Sequence, residues 1–178
     1  MTNFKTELEK YNSWVSQQDW YQENLKENYV IIKDAPTQLE IDLLFAKFGN
    51  LSKSYVETLI NFGLSEYWCN GYLTKILSPT QIIEMYEIVQ NEMDFNNGLR
   101  EELLAENGFD FSKYIPVMSG KGEDGRWALL NINNNSKGEI LLWDTDQAGF
   151  IDDVFENLET FINTSIARAR DNNPLRLT

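Results

Sequence analysis

The sequence predicts an α+β fold, an antiparallel sheet meander flanked by helices in a single domain, on three observations. Three extended apolar runs, "YIPVMSG", "RWALLNIN" and "EILLWDT", follow one another at short spacing, joined by the turn-rich "GKGEDG" and "NNNSKG". Ahead of them lie segments whose apolar residues recur at helical intervals behind capping residues. A last amphipathic segment follows them. Helices, then strands, then a helix is the order of an α+β domain rather than of repeated βαβ units.

The elements are justified in chain order. Phe4, Leu8, Tyr11 and Val15 step by four, three and four residues, so a helix is expected from Phe4 to about Asn28. Tyr29-Val30-Ile31-Ile32 is a short apolar run that reads as a strand or as an anchored linker. Pro36, Thr37 and Glu40 form a capping-box signal for a helix that carries Ile41, Leu44, Phe45 and Phe48 and stops at Gly49. A second such helix is capped by Ser52, carries Tyr55, Val56, Leu59, Ile60 and Phe62, and closes at Gly63. "EYWCNGYLTKIL" surrounds an Asn70-Gly71 turn, the strongest short hairpin signal in the chain. Ser78-Pro79 opens a further helix, and 91–110 reads as a helical excursion or long loop. "FIDDVFENLETFINTSIARAR" is expected to be the closing helix, with Phe150, Val154, Phe155, Leu158, Phe161, Ile162 and Ile166 on one face and Asp152, Asp153, Glu156 and Glu159 on the other. The organisation expected is 1–34 as an N-terminal helix and linker, 35–170 as the α+β domain and 171–178 as a frayed tail.

Composition narrows the chemistry. The chain has 178 residues, enough for one sizeable core, and it has no histidine. The usual general base and the commonest transition-metal ligand are therefore absent. Cys69 is the only cysteine, which removes an internal disulfide and a thiolate metal site. No serine lies in a nucleophile-elbow pattern, and "GKGEDG" lacks the spacing of a phosphate-binding loop. With 28 acidic against 15 basic residues the net charge is −13, which repels nucleic-acid phosphates and anionic membranes and attracts basic partners. The start lacks an apolar signal core and no apolar run approaches a membrane span of ~20 residues, so a cytoplasmic address is expected.

The stretch that carries most chemistry is "GEILLWDTDQAGF", where an apolar run ends in Asp144-Thr145-Asp146. Two carboxylates one residue apart at a strand mouth suit a divalent cation, a patch for arginines, or the plain polar end of a sheet. Glu123 and Asp124 of "GKGEDG" join them if the strands are neighbours. Tyr67, Trp68 and Tyr72 fall together in "SEYWCNGY" and read as core packing or, where partly exposed beside acids, as an interface hot spot.

The order of these segments resembles the SUKH superfamily, the Smi/Knr-like proteins that include fungal cell-wall regulators and many bacterial immunity proteins. The resemblance rests on Phe48-Gly49-x-Leu51-Ser52-x-Ser54-Tyr55-x-x-x-Leu59-x-x-Phe62-Gly63, on "NGYLTKILSPTQI", and on "YIPVMSGKGEDGRWALLNI" followed by "GEILLWDTD" and "FENLETFI". It spans about residues 35–165, and the family's usual Leu-Pro-x-x-Tyr reads Leu51-Ser52-x-x-Tyr55 here. What it implies is a non-enzymatic SUKH-like domain without cofactor or metal: an immunity protein that neutralises a toxin, a basic nuclease being the partner the charge suits. Asp144, Asp146, Glu123 and Asp124 are the expected partner-binding acids, with Trp68 or Tyr67 as anchor. The alternatives are a regulatory or scaffold protein of the same family binding a cell-wall or signalling partner, and a carboxylate-only metal-dependent enzyme.

Overall fold

The computed structural model describes residues 6, 9–10, 13–14, 17, 30–31, 33–49, 51–69, 72–95, 101, 105, 110–120, 126–132, 140–144 and 150–170. Among these, Thr6, Glu9, Lys10, Ser13 and Trp14 are helical, and Trp14 is half-buried against the core. Seven strands form one antiparallel sheet in strict sequence order. They are β1 (Val30–Ile31), β2 (Glu66–Cys69), β3 (Tyr72–Ile76), β4 (Tyr114–Ser119), β5 (Arg126–Asn131), β6 (Ile140–Asp144) and β7 (Phe150–Phe155). The helices whose bounds are described are α1 (Gln38–Phe48), α2 (Lys53–Phe62), α3 (Pro79–Phe95) and α4 (Leu158–Arg170), with a 3₁₀ turn at Phe111–Lys113. The fold is the expected α+β meander.

Local chemistry sets the helix ends. Thr37 N–H and Oγ both donate to Glu40 Oε2 at 2.8 Å, while Glu40 N–H donates to Thr37 Oγ at 3.3 Å, closing the predicted capping box. The Thr37 backbone N–H, and then its hydroxyl, hold the Glu40 carboxyl below the usual range. Ser52 Oγ accepts from Tyr55 N–H at 3.1 Å and starts α2. Ser78 and Gln81 cap α3 reciprocally: Ser78 N–H donates to Gln81 Oε1 and Gln81 N–H to Ser78 Oγ. That helix runs on to Phe95, into the stretch left open between helix and loop. Gly49 and Gly63 end α1 and α2 at φ +78° and +61°.

The closing helix needs a correction. Phe150–Phe155 is strand β7, and α4 begins only at Leu158. Asn157 is its cap: the side-chain oxygen accepts from Thr160 N–H at 2.8 Å. Asp152 and Asp153 therefore lie in a strand, not on a helix face, while Glu156 and Glu159 are exposed at the start of α4. Between Leu141↔Val154 and Trp143↔Ile151 the register shifts, setting Asp152 and Asp153 against Leu142 alone. A bulge occupied by two carboxylates is a common device on an edge strand, where it opposes pairing with another sheet.

The sheet is covered on both faces at its centre, which explains why its strands read as apolar runs rather than alternating ones. All six residues of β4 are buried, as are Ile140 through Trp143 of β6. Alternate residues of β6 face opposite ways. Trp143 meets Phe111 edge-on at 5.0 Å. On the other face Phe155, the register partner of Ile140, meets Phe161 of α4 edge-on at 5.0 Å. Pro116 sits in β4 next to a second register shift, at Val117, beyond the part of the strand paired to β3. Helix α1 packs on α3 and α3 on β4, whereas α2 packs on α4, which touches β2 and β7.

Tyr55 of α2 is fully buried, and its hydroxyl has no hydrogen-bond partner among the described residues. Burial pushes its phenol far above the ordinary range. Above a pH of about 10, the ordinary tyrosine pKa, the unfolded chain releases a proton that the folded chain keeps. Stability contributed at this site is therefore intact below that pH and is lost as pH rises past it. Tyr55→Phe is expected to leave neutral-pH stability unchanged or raise it by about 1 kcal/mol and to flatten the alkaline loss. Urea titrations at pH 7 and pH 10.5 check both, and a loss above ~2 kcal/mol at pH 7 would show that the hydroxyl is satisfied.

Candidate functional site

In a meander of antiparallel neighbours, alternate strands run the same way. The chain therefore leaves β2 at Cys69, β4 at Ser119 and β6 at Asp144 on one end of the sheet, and re-enters there at Tyr72, Arg126 and Phe150. The three segments that carry the predicted acids and follow the predicted aromatics begin and finish at this common end. Glu123, Asp124 and Asp146 themselves lie outside the described residues, as does the Asn70-Gly71 turn.

Backbone register places the rest. Asp144 is the last residue of β6, opposite Arg126 of β5 and Phe150 of β7. Tyr67 and Trp68 are inner residues of β2, opposite Thr74 and Leu73. At ~4.8 Å per strand, β4 and β6 exit about 10 Å apart, whereas β2 and β6 are about 19 Å apart. Twist of roughly 20–25° per strand accumulates to about 80–100° over those four steps. The β4–β5 and β6–β7 exits therefore make one local surface. By the same count the β2–β3 exit stands about 10 Å from the β4–β5 exit and about 19 Å from the β6–β7 exit. Asp144 and the pair Tyr67 and Trp68 thus belong to one sheet, on strands four steps apart.

The floor beneath this surface is apolar. One residue inward from the Arg126↔Asp144 pair, Trp127 stands opposite Trp143, and Ser119 stands opposite Trp127. All three are buried. Both indole N–H groups lack a hydrogen-bond partner among the described residues, so their contribution is packing rather than polar anchoring. At the start of β2, Lys33 forms an ion pair with Glu66, and Lys75 is the register partner of the same glutamate. That carboxylate is already engaged and adds little to a free acidic surface.

Arg126 is the residue that reading the sequence missed. The signal was present: aligning Trp127 with Trp143 as a cross-strand pair sets Arg126 directly against Asp144. The two residues carry opposite formal charges. The arginine also lowers the net negative charge at this end. Among the described residues, no three Cys, Asp or Glu side chains come together to hold a metal ion. No described helix is long and apolar enough to cross a membrane. No protein-family model matches the chain, and no curated protein matches it.

Proposed function

We propose that this chain is a binding protein of the SUKH-like immunity type, which neutralises a basic toxin domain by covering its substrate-binding surface. The observation that carries the reading is the common exit end of β2, β4 and β6, from which the acid-bearing segments spring. The net charge of −13 supports it, because a field of that sign accelerates encounter with a cationic surface built to grip phosphates. The order of sequence segments resembling SUKH proteins supports it as well. Carboxylates of the β4–β5 and β6–β7 segments stand in for phosphates, and the partner's active surface is blocked by occupation rather than by chemistry.

The test is capture of partners by the tagged chain at about 20 mM salt, followed by elution with rising salt. A basic toxin domain is expected in the salt eluate, and mixing it with the chain should abolish its activity. Asp144→Lys with Asp146→Lys is expected to slow association on the order of tenfold or more at low salt, with the gap closing above about 0.3 M as charges are screened. A thermal melt of the double variant confirms that it is folded. An unchanged association rate would remove this end of the sheet as the binding surface.

A further inference from the structure

Helix α1 is apolar on two opposite sides. Ile41 and Leu44 are buried, and Phe45 and Phe48 pack against the core, with Phe48 edge-on to Tyr86 of α3 at 5.1 Å. The other side presents Leu39 at 71 % exposure, Leu43 at 47 % and an exposed Ala46. These three recur at intervals of four and three, the d, a and d positions of a heptad. Among the described residues nothing buries this stripe, and exposing two leucines a turn apart is unfavourable in water.

The flanks say what covers it. Asp42 and Lys47, both exposed, border the stripe on opposite sides and are five residues apart. In heptad terms they are a g position and the following e position, which face each other between two parallel helices. Asp42 is held on its flank by Gln38, whose amide donates to Asp42 Oδ1 at 2.9 Å. Glu40, which shares the Lys47 flank, is turned back onto Thr37 in the capping box and does not compete. An antiparallel two-fold pair would instead bring each flank onto itself, Asp42 towards Asp42 and Lys47 towards Lys47.

We infer that α1 is a self-association surface: two copies of this chain pair in parallel through Leu39, Leu43 and Ala46, with Asp42 of each copy meeting Lys47 of the other. This inference is independent of the toxin-binding reading, which concerns the end of the sheet. Two leucines, an alanine and one charge pair per copy fall short of the about 800 Å² per partner of a stable interface. The dimer is accordingly weak, with a Kd of about 0.1–1 mM.

Sedimentation equilibrium of the full chain from about 10 µM to about 1 mM in ~50 mM salt tests this, spanning the Kd expected of so small an interface. A reversible monomer–dimer equilibrium is expected, and Leu39→Glu with Leu43→Glu should leave only monomer, since both side chains lie outside the core. Asp42→Lys alone and Lys47→Asp alone should each weaken the dimer about tenfold, because each replaces two attractions by two repulsions. The double exchange Asp42→Lys/Lys47→Asp should restore it, and the two single variants mixed together should pair with each other. A chain monomeric at 1 mM overturns the proposal, as does a dimer indifferent to the leucine changes. A dimer indifferent to Asp42→Lys and to Lys47→Asp overturns the parallel arrangement, because an antiparallel pair sets like charge against like charge before and after each exchange.

Discussion

Gly63→Ala is expected to cost about 4 kcal/mol of stability, a large share of the roughly 5–15 kcal/mol that holds a domain of this kind together. Gly63 ends α2 at φ +61° and ψ −160°, a region that side-chain-bearing residues rarely enter. A Cβ there would lie 2.0 Å from the carbonyl oxygen of Lys33 and 3.0 Å from the carbonyl carbon of Asp34. Both obstacles are backbone, so no rotamer change relieves them. The same strand of chain is tied down on each side of the contact: Leu64 N–H donates to Asp34 O at 3.1 Å, and Lys33 N–H to the buried Ser65 Oγ at 3.4 Å. Relief therefore means separating the approach to α1 from the turn between α2 and β2. The cost sums backbone strain of about 1–3 kcal/mol, overpacking of similar size and a weakened backbone bond. Gly49→Ala is the control. Gly49 has a comparable φ of +78°, yet nothing lies within 4 Å of its added Cβ. It should cost only the strain, about 1–2 kcal/mol. Urea unfolding of both variants decides the matter, and equal losses would show that the Lys33–Asp34 segment yields without penalty.

The two glycines also mark where the fold was legible. Thr37 with Glu40, Ser52, Gly49 and Gly63 set the helix ends through backbone groups at most four residues away, so a short window of sequence contains the cause of each helix end, whereas the close approach of Lys33 to Gly63 is not local. The central strands were legible because burial on both faces makes them continuous apolar runs. Strand β7 was not. Its bulge puts Phe150 opposite Asp144 and Val154 opposite Leu141, so four residues of β7 span three of β6. That spacing imitates a helix, and with Phe155, Leu158, Phe161 and Ile162 following it extended the apparent helical face by two turns. Only the presence of β6 as a partner decides the question, and pairing partners are not written locally.

The candidate site divides in the same way. That Asp144 ends a strand could be read from "ILLWDTD". That β2, β4 and β6 release the chain at one end depends on β3 pairing with β4 across the intervening α3 and 3₁₀ turn, a contact between residues about forty apart in sequence. The same count of strands puts β2 two steps from β4 and four from β6, so Tyr67 and Trp68 stand four strands from Asp144.

Trp143→Ala is expected to cost about 4–5 kcal/mol, and the loss should be felt first at the end of the sheet where Asp144 emerges. Trp143 is 2 % exposed, has neighbours on both sides in the sheet, and rests edge-on against Phe111. Removing the indole opens a cavity bounded by strands on two sides and by the turn that leads into β4, none of which can close on it freely. Phe111 and its turn are held in turn by Gln90 of α3, whose amide donates to Phe111 O at 3.1 Å and to Tyr114 O at 3.3 Å, so the loss is transmitted to α3. Trp143→Phe should cost far less, about 1–2 kcal/mol. It keeps a ring for Phe111 and discards an indole N–H that is buried without a partner. Urea unfolding gives the two energies. Amide exchange locates them: in Trp143→Ala, protection at Trp127, Asp144 and Ile151 should fall before protection at Leu130 and Ile140 at the other end of the same ladders. If Trp143→Ala cost under ~2 kcal/mol, or Trp143→Phe cost as much as alanine, the indole would not be the support of that strand end. If the exchange pattern holds, the same variant also separates two contributions to partner binding. Trp143→Ala should raise the dissociation rate by loosening the strand end with every charge in place, whereas Asp144→Lys with Asp146→Lys should slow association with the floor intact.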